Sequence, residues 1–123
     1  MNIIDIAGVT VLDVPAEGAP IGTEQDALDL IAECYGRDVA LIAVPVQRLH
    51  PDFLKLRTRM AGEFLQKMQN YGFRFAVVGD MSAAVAASDA LRDFVYESNK
   101  VGQVLFVASR EEFESRLAAR NAR

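Results

Sequence analysis

Tryptophan is absent, and cysteine and histidine occur once each, as Cys34 and His50. A single cysteine forms no intramolecular disulfide and builds no cysteine-rich metal site. A single histidine leaves only carboxylate-rich metal sites, and no zinc, calcium or di-iron spacing accompanies His50. Neither a GxGxxG nor a GxxxxGK[ST] phosphate loop is present, so no nucleotide, metal or other cofactor is expected. The longest apolar run, Val39 to Val46, contains a proline and falls far short of the roughly 20 residues of a membrane-crossing helix. The stretch Met1 to Val14 lacks the basic start and unbroken apolar core of a signal peptide, because Asp5, Gly8, Thr10 and Asp13 interrupt it. The expectation is a cytoplasmic protein without membrane insertion. Nor is there a surplus of positive charge: 13 basic against 17 acidic side chains give a net charge of −4, which attracts no phosphate backbone, so nucleic acid is not an expected partner.

What is present is the composition of a folded chain, 51% hydrophobic and 24% charged over 123 residues, enough for one domain spanning 1–123 with its own core. Asn2 to Ile6 and Val9 to Val14 read as strands joined into a hairpin through Ala7-Gly8. Pro15 to Gly22 is a loop, and Thr23 caps a helix to about Tyr35 whose buried stripe is Ala27, Leu28, Ile31 and Ala32. Val39 to Val44 is a fully buried strand ended by Pro45, followed by a polar loop, Gln47 to Asp52.

Phe53, Leu56, Met60, Phe64 and Met68 recur at helical spacing and predict one helix to about Asn70 with Asp52 as its N-cap. Phe73 to Val78 is the next strand, and a loop of small residues leads from Gly79-Asp80 to Ser88. Ser88 opens a helix with Leu91, Phe94, Val95 and Ser98 inward, stopped by Asn99 to Gly102. Val104 to Val107 is the last strand, and Ser109 with Glu112 forms a capping-box spacing for a C-terminal helix carrying Phe113 and Leu117. The order ββαβαβαβα predicts a mixed, mostly parallel five-stranded sheet with an N-terminal β-hairpin and four helices.

In open α/β sheets ligands bind beyond the carboxyl ends of the strands, which directs attention to His50, Asp52, Asp80, Ser82 and Ser109. His50 and Asp80 offer an acid or base there, with Asp52 to orient them, although Asp52 and Ser109 already have a structural use as caps. Cys34 lies on a helix face that favours a buried, inert thiol. Asp89, Asp93 and Glu97 recur every four residues, and such like-charged pairs cost about 0.2 to 0.5 kcal/mol each. Glu97 also falls in what is expected to be the last helical turn, where the helix dipole disfavours an acid. Gly62 stands inside the long helix at a cost of about 1 kcal/mol relative to alanine, which implies close approach of a neighbouring backbone. Arg59, Glu63, Gln66 and Asn70 share the adjacent polar face.

Four segments occur together: Leu49-His50-Pro51-Asp52-Phe53, Ala61 to Lys67 leading to Asn70-Tyr71, Val77-Val78-Gly79-Asp80, and Leu91 to Lys100. In order and spacing they resemble the bacterial family called Domain of Unknown Function 4180, a resemblance that covers nearly the whole chain and brings no established activity with it. More distantly, the element order, with Ala76 to Asp80 on a central strand, looks like the STAS-like fold of anti-sigma-factor antagonists. That resemblance implies docking onto partner proteins. Many such proteins are switched by phosphorylation of a serine at the start of the helix after the third predicted strand. Here the corresponding stretch, His50 to Lys55, holds no serine, and Asp52 supplies a charge that no kinase regulates.

Together these readings point to an uncharacterised, non-enzymatic regulatory or protein-interaction module, with a protein partner or self-association. Its contact residues would come from Asp52, Arg59, Glu63, Gln66, Asn70, Asp80, Asp93, Glu97 and Asn99. The alternative is a small-molecule or lipid binding protein, or a small enzyme, with its site at the strand C-terminal ends and His50, Asp52 and Asp80 as candidate catalytic residues.

Overall fold

The computed structural model describes residues 1–121, and side chains through residue 119. Strands β1 (Asn2–Ile6) and β2 (Val9–Asp13) form the predicted hairpin. Ala7 and Gly8 both take positive φ, 52° and 84°, the left-handed pair that matches the twist of a two-residue hairpin. Three further strands, β3 (Leu41–Pro45), β4 (Arg74–Val78) and β5 (Val104–Val107), add in parallel, so the sheet order is the chain order β1-β2-β3-β4-β5. Crossovers of one hand between sequential parallel strands must lie on the same face of the sheet. Accordingly α1 (Glu24–Glu33), α2 (Met60–Asn70) and α4 (Asp89–Val101) pack on one face, and α5 (Arg110–Asn121) covers the other with Phe113 and Leu117. Phe53, Phe64 and Phe75 stack edge to face, with centroids 5.4 and 5.0 Å apart, at the centre of the three-helix side.

Several expectations change. The long helix predicted from Phe53 does not form: α2 begins at Met60, after a 3-10 turn at Leu56–Thr58. Thr58 explains the break, because its hydroxyl lies 2.8 and 3.0 Å from the carbonyls of Lys55 and Asp52 and accepts the Met60 amide at 3.2 Å. A side chain that bonds the backbone in this way competes with continued helix. Arg59, at φ 65°, stands at the α2 N-terminus in left-handed conformation, so Asp52 is not a helix cap; its carboxylate instead faces Lys55 Nζ at 3.5 Å.

The small-residue loop after Asp80 contains a fifth helix, α3 (Ser82–Ala86), since alanine favours helix even in a stretch too short to show a period. Helix α1 ends at Glu33 and buries Ala27 and Leu30, with Ile31 packed against the core and Cys34 buried at its C-cap, while Ala32, expected in the stripe, is exposed. Helix α4 runs to Val101 and closes on Gly102 at φ 86°, which takes Glu97 out of the last turn.

One buried cation organises the first loop. Arg48, 8% exposed, donates to the carbonyls of Ala19, Pro15 and Glu17 at 3.0, 2.9 and 2.8 Å, which ties the Pro15 to Gly22 segment to the segment after β3. Buried guanidinium groups are tolerated where oxygen acceptors replace water, and here backbone carbonyls do so. No helix among the described residues is long and apolar enough to cross a membrane.

Candidate functional site

The carboxyl ends of the strands form a crevice of about 330 Å³, bordered by Asp13, Pro45, Gly79, Ser109 and Arg110. Its charged groups pair with the chain's own residues. Arg110 bonds Asp13 at 3.0 Å and Glu114 at 3.2 Å, and the Asp13 carboxylate holds the guanidinium proton more firmly than usual. Ser109 accepts the Glu112 amide at 3.1 Å as the α5 cap, and Glu112 reaches back to the Ala108 amide at 2.9 Å, one residue short of the expected capping box. Gly79 is required by the chain itself, for it has φ 142° and a Cβ there would overlap the Val46 side chain.

The candidate acid and base do not meet in this crevice. The carboxylate of exposed Asp80 accepts the Ser82 amide at 2.9 Å, and that hydrogen bonding to Ser82 lowers its pKa from 3.8. His50 lies on the α1–α2 side, where its Nδ1 accepts the Asp52 amide at 3.0 Å. It therefore meets Asp52 through the backbone and not through the carboxylate. Among the described residues no hydrogen bond or ion pair joins His50 to Asp80, and no cluster of three metal-ligating side chains occurs. Cys34 is buried, its thiol pushed up to about 11 by burial and by Glu33. A thiol so rarely ionised is a poor nucleophile.

A larger opening lies between α2 and α4. Gly62, Leu65, Gln66 and Gln69 recur at i, i+3, i+4 and i+7 along α2, and Phe94, Glu97, Ser98 and Val101 do the same along α4. With Phe73 and Val104 at the base, these two faces enclose a groove of about 450 Å³. That volume falls within the range of small-ligand and peptide-anchor sites, and the walls are largely apolar. Val101, 69% exposed, borders the groove, and Tyr96, 65% exposed, projects from the same helix.

Of the residues singled out from sequence, the groove unites Gly62, Gln66 and Glu97. Asn70 accepts a 2.9 Å bond from Gln66 and fixes its amide. Arg59 and Glu63 are exposed on α2 without an ion pair between them among the described residues, and Asp93 faces Arg92 at 3.7 Å. Asn99 is engaged internally: its amide donates to the Phe106 carbonyl at 3.0 Å and accepts the Phe106 amide at 2.7 Å, pairing the outer edge of β5 as a neighbouring strand would.

Gly62 is the corrected residue with the greatest consequence. No backbone approaches it; a Cβ built there meets nothing within 4 Å. Leu65, Gln69, Phe94, Ser98 and Val101 were not among the residues singled out as contacts; helical spacing from Gly62 was the signal that could have found Leu65 and Gln69, and nothing comparable marked the three on α4.

No curated protein and no solved structure matches the chain. A family model described as a domain of unknown function (DUF4180) matches residues 6–117, nearly the full length. The chain belongs to the DUF4180 family.

Proposed function

We propose that this chain is a non-enzymatic protein-interaction module of the cytoplasm whose contact site is the α2–α4 groove, taking an apolar segment of a partner. Gly62 carries the reading. Gly62 lies in the first turn of α2, where glycine remains a poorer helix former than alanine by up to about 1 kcal/mol, and such a cost persists where something must come close. Inside this chain nothing does, and its φ is not in the left-handed region that would require glycine. The close approach is therefore reserved for a molecule outside the chain, in a groove whose walls are largely apolar and whose one charged lining residue, Glu97, has no ion-pair partner among the described residues. The distant resemblance of the element order to STAS-like proteins, which implies docking onto partners, is in keeping with the same class of function. Against an enzyme at the strand ends stand the lack of any hydrogen bond or ion pair between Asp80 and His50 among the described residues and the mutual pairing of the crevice's charged groups.

Titration with the neutral apolar dye Nile red tests the groove. The wild-type chain should enhance the dye's fluorescence saturably. Gly62→Leu, which fills the groove from an exposed position, should remove that enhancement with the circular dichroism spectrum unchanged. Equal enhancement by both proteins would overturn the reading.

A further inference from the structure

The broken helix between Phe53 and Met60 creates a second groove, sharing no lining residue with the first, where the chain before α2 meets α3 and the start of α4. It measures about 500 Å³. Its floor is Leu54, Leu56 and three alanines, Ala84, Ala87 and Ala90. Its two charged lining residues, Lys55 and Arg57, are both cations, in a chain whose net charge is −4. Asp52 faces Lys55 at 3.5 Å and Asp89 faces Arg92 at 3.2 Å, while Arg57 is exposed with no hydrogen bond or ion pair among the described residues. The groove therefore presents one unpaired cation, Arg57, and a second, Lys55, shared with Asp52, beside apolar surface.

We infer that this groove docks an acidic amphipathic helix of a partner protein. Charge complementarity selects the sign, because the groove's lining holds Arg57 and Lys55 and no carboxylate, in a chain of net charge −4. Shape selects a protein segment over a free apolar molecule. Pro51, Ala87 and Ala90 line the groove and are exposed, so a helix can lie along its rim. A partner helix brings its own cover, and alanine side chains let a helix axis approach to the short end of the roughly 8–10 Å packing range. The apolar stripe of the partner would lie on Leu54, Leu56 and the alanines, with its acidic residues toward Lys55 and Arg57.

Fluorescence anisotropy with a labelled peptide of about 14 residues, two heptads of leucine and glutamate at helical spacing, tests the assignment against the full chain. Saturable binding is expected, weakening as salt is raised through the range where the Debye length falls from about 30 to 8 Å. The double variant Lys55→Glu with Arg57→Glu should weaken it at least about tenfold, as lost charge attraction does in steered interfaces. Ala87→Phe, which fills the groove without altering charge, should weaken it by about as much, and Gly62→Leu should leave it unchanged. Absence of saturable binding to the wild-type chain overturns the inference, as does binding that neither the charge variant nor Ala87→Phe disturbs. Decanoate binding that both of those variants abolish, in the absence of peptide binding, would assign the groove to a fatty acid instead.

Discussion

The crevice at the strand ends and the groove between α2 and α4 make opposite use of the same kinds of residue. In the crevice, Arg110 spans Asp13 and Glu114, Ser109 caps α5, and Gly79 accommodates Val46. In the groove, Glu97 has no ion-pair partner among the described residues and Gly62 accommodates nothing. Position within an open α/β sheet favours the crevice as a ligand site, but the state of its polar groups does not. A glycine or a charge consumed by the chain's own structure needs no further explanation, and one that the chain leaves idle does.

Substitutions at the two glycines break this comparison most sharply. Gly79→Ala should destabilise the fold by about 3 kcal/mol, combining backbone strain at φ 142° with overlap against Val46, as read from urea unfolding. Gly62→Ala should do the reverse and stabilise by up to about 1 kcal/mol while weakening Nile red binding. Loss of stability at Gly62 would mean that the glycine serves the fold after all.

A helix cap gives a reference for an ordinary structural carboxylate. Burial raises the pKa of Asp26, but backbone bonds from Thr23 and Gly22, the Thr23 hydroxyl and the field of His50 outweigh it and leave the group below its ordinary 3.8. A depressed folded value contributes stability above the unfolded pKa that is lost as pH falls through the folded one. Asp26→Asn should therefore cost about 1 kcal/mol at pH 7, with the difference from wild type shrinking below about pH 4 in acid unfolding. Asp13→Asn, at the partly exposed ion pair with Arg110, should cost the least, under about 1 kcal/mol and less in high salt.

The sheet was legible in the residues because buried parallel strands are apolar runs of strand length, and Val104 to Val107 is placed without error. So were the caps Thr23 and Ser88, whose side chains accept the Asp26 and Leu91 amides. The helix from Phe53 was misread because Phe53, Leu56, Met60 and Phe64 keep helical spacing although Thr58 diverts the backbone, a competition that apolar periodicity does not register. Arg48 was hidden for a related reason: nothing in a polar loop marks the arginine that will be buried under three carbonyls.

The groove itself was half legible. Gly62, Gln66 and Glu97 stood out locally, but the meeting of two helix faces depends on how far apart the sheet holds α2 and α4. Asn99 stood out for the same polarity and turned out to pair Phe106. Polarity on a helix does not distinguish a contact residue from one that secures a strand edge.

The most direct test of the account is nitrogen-15 chemical-shift mapping of the whole chain during titration with Nile red. The account predicts that perturbed amides cluster on Gly62 to Gln69 and Phe94 to Gln103, with those of Asp13, Gly79 and Arg110 unmoved. Perturbation centred on Asp13, Gly79 and Arg110 would contradict it and return the site to the strand ends.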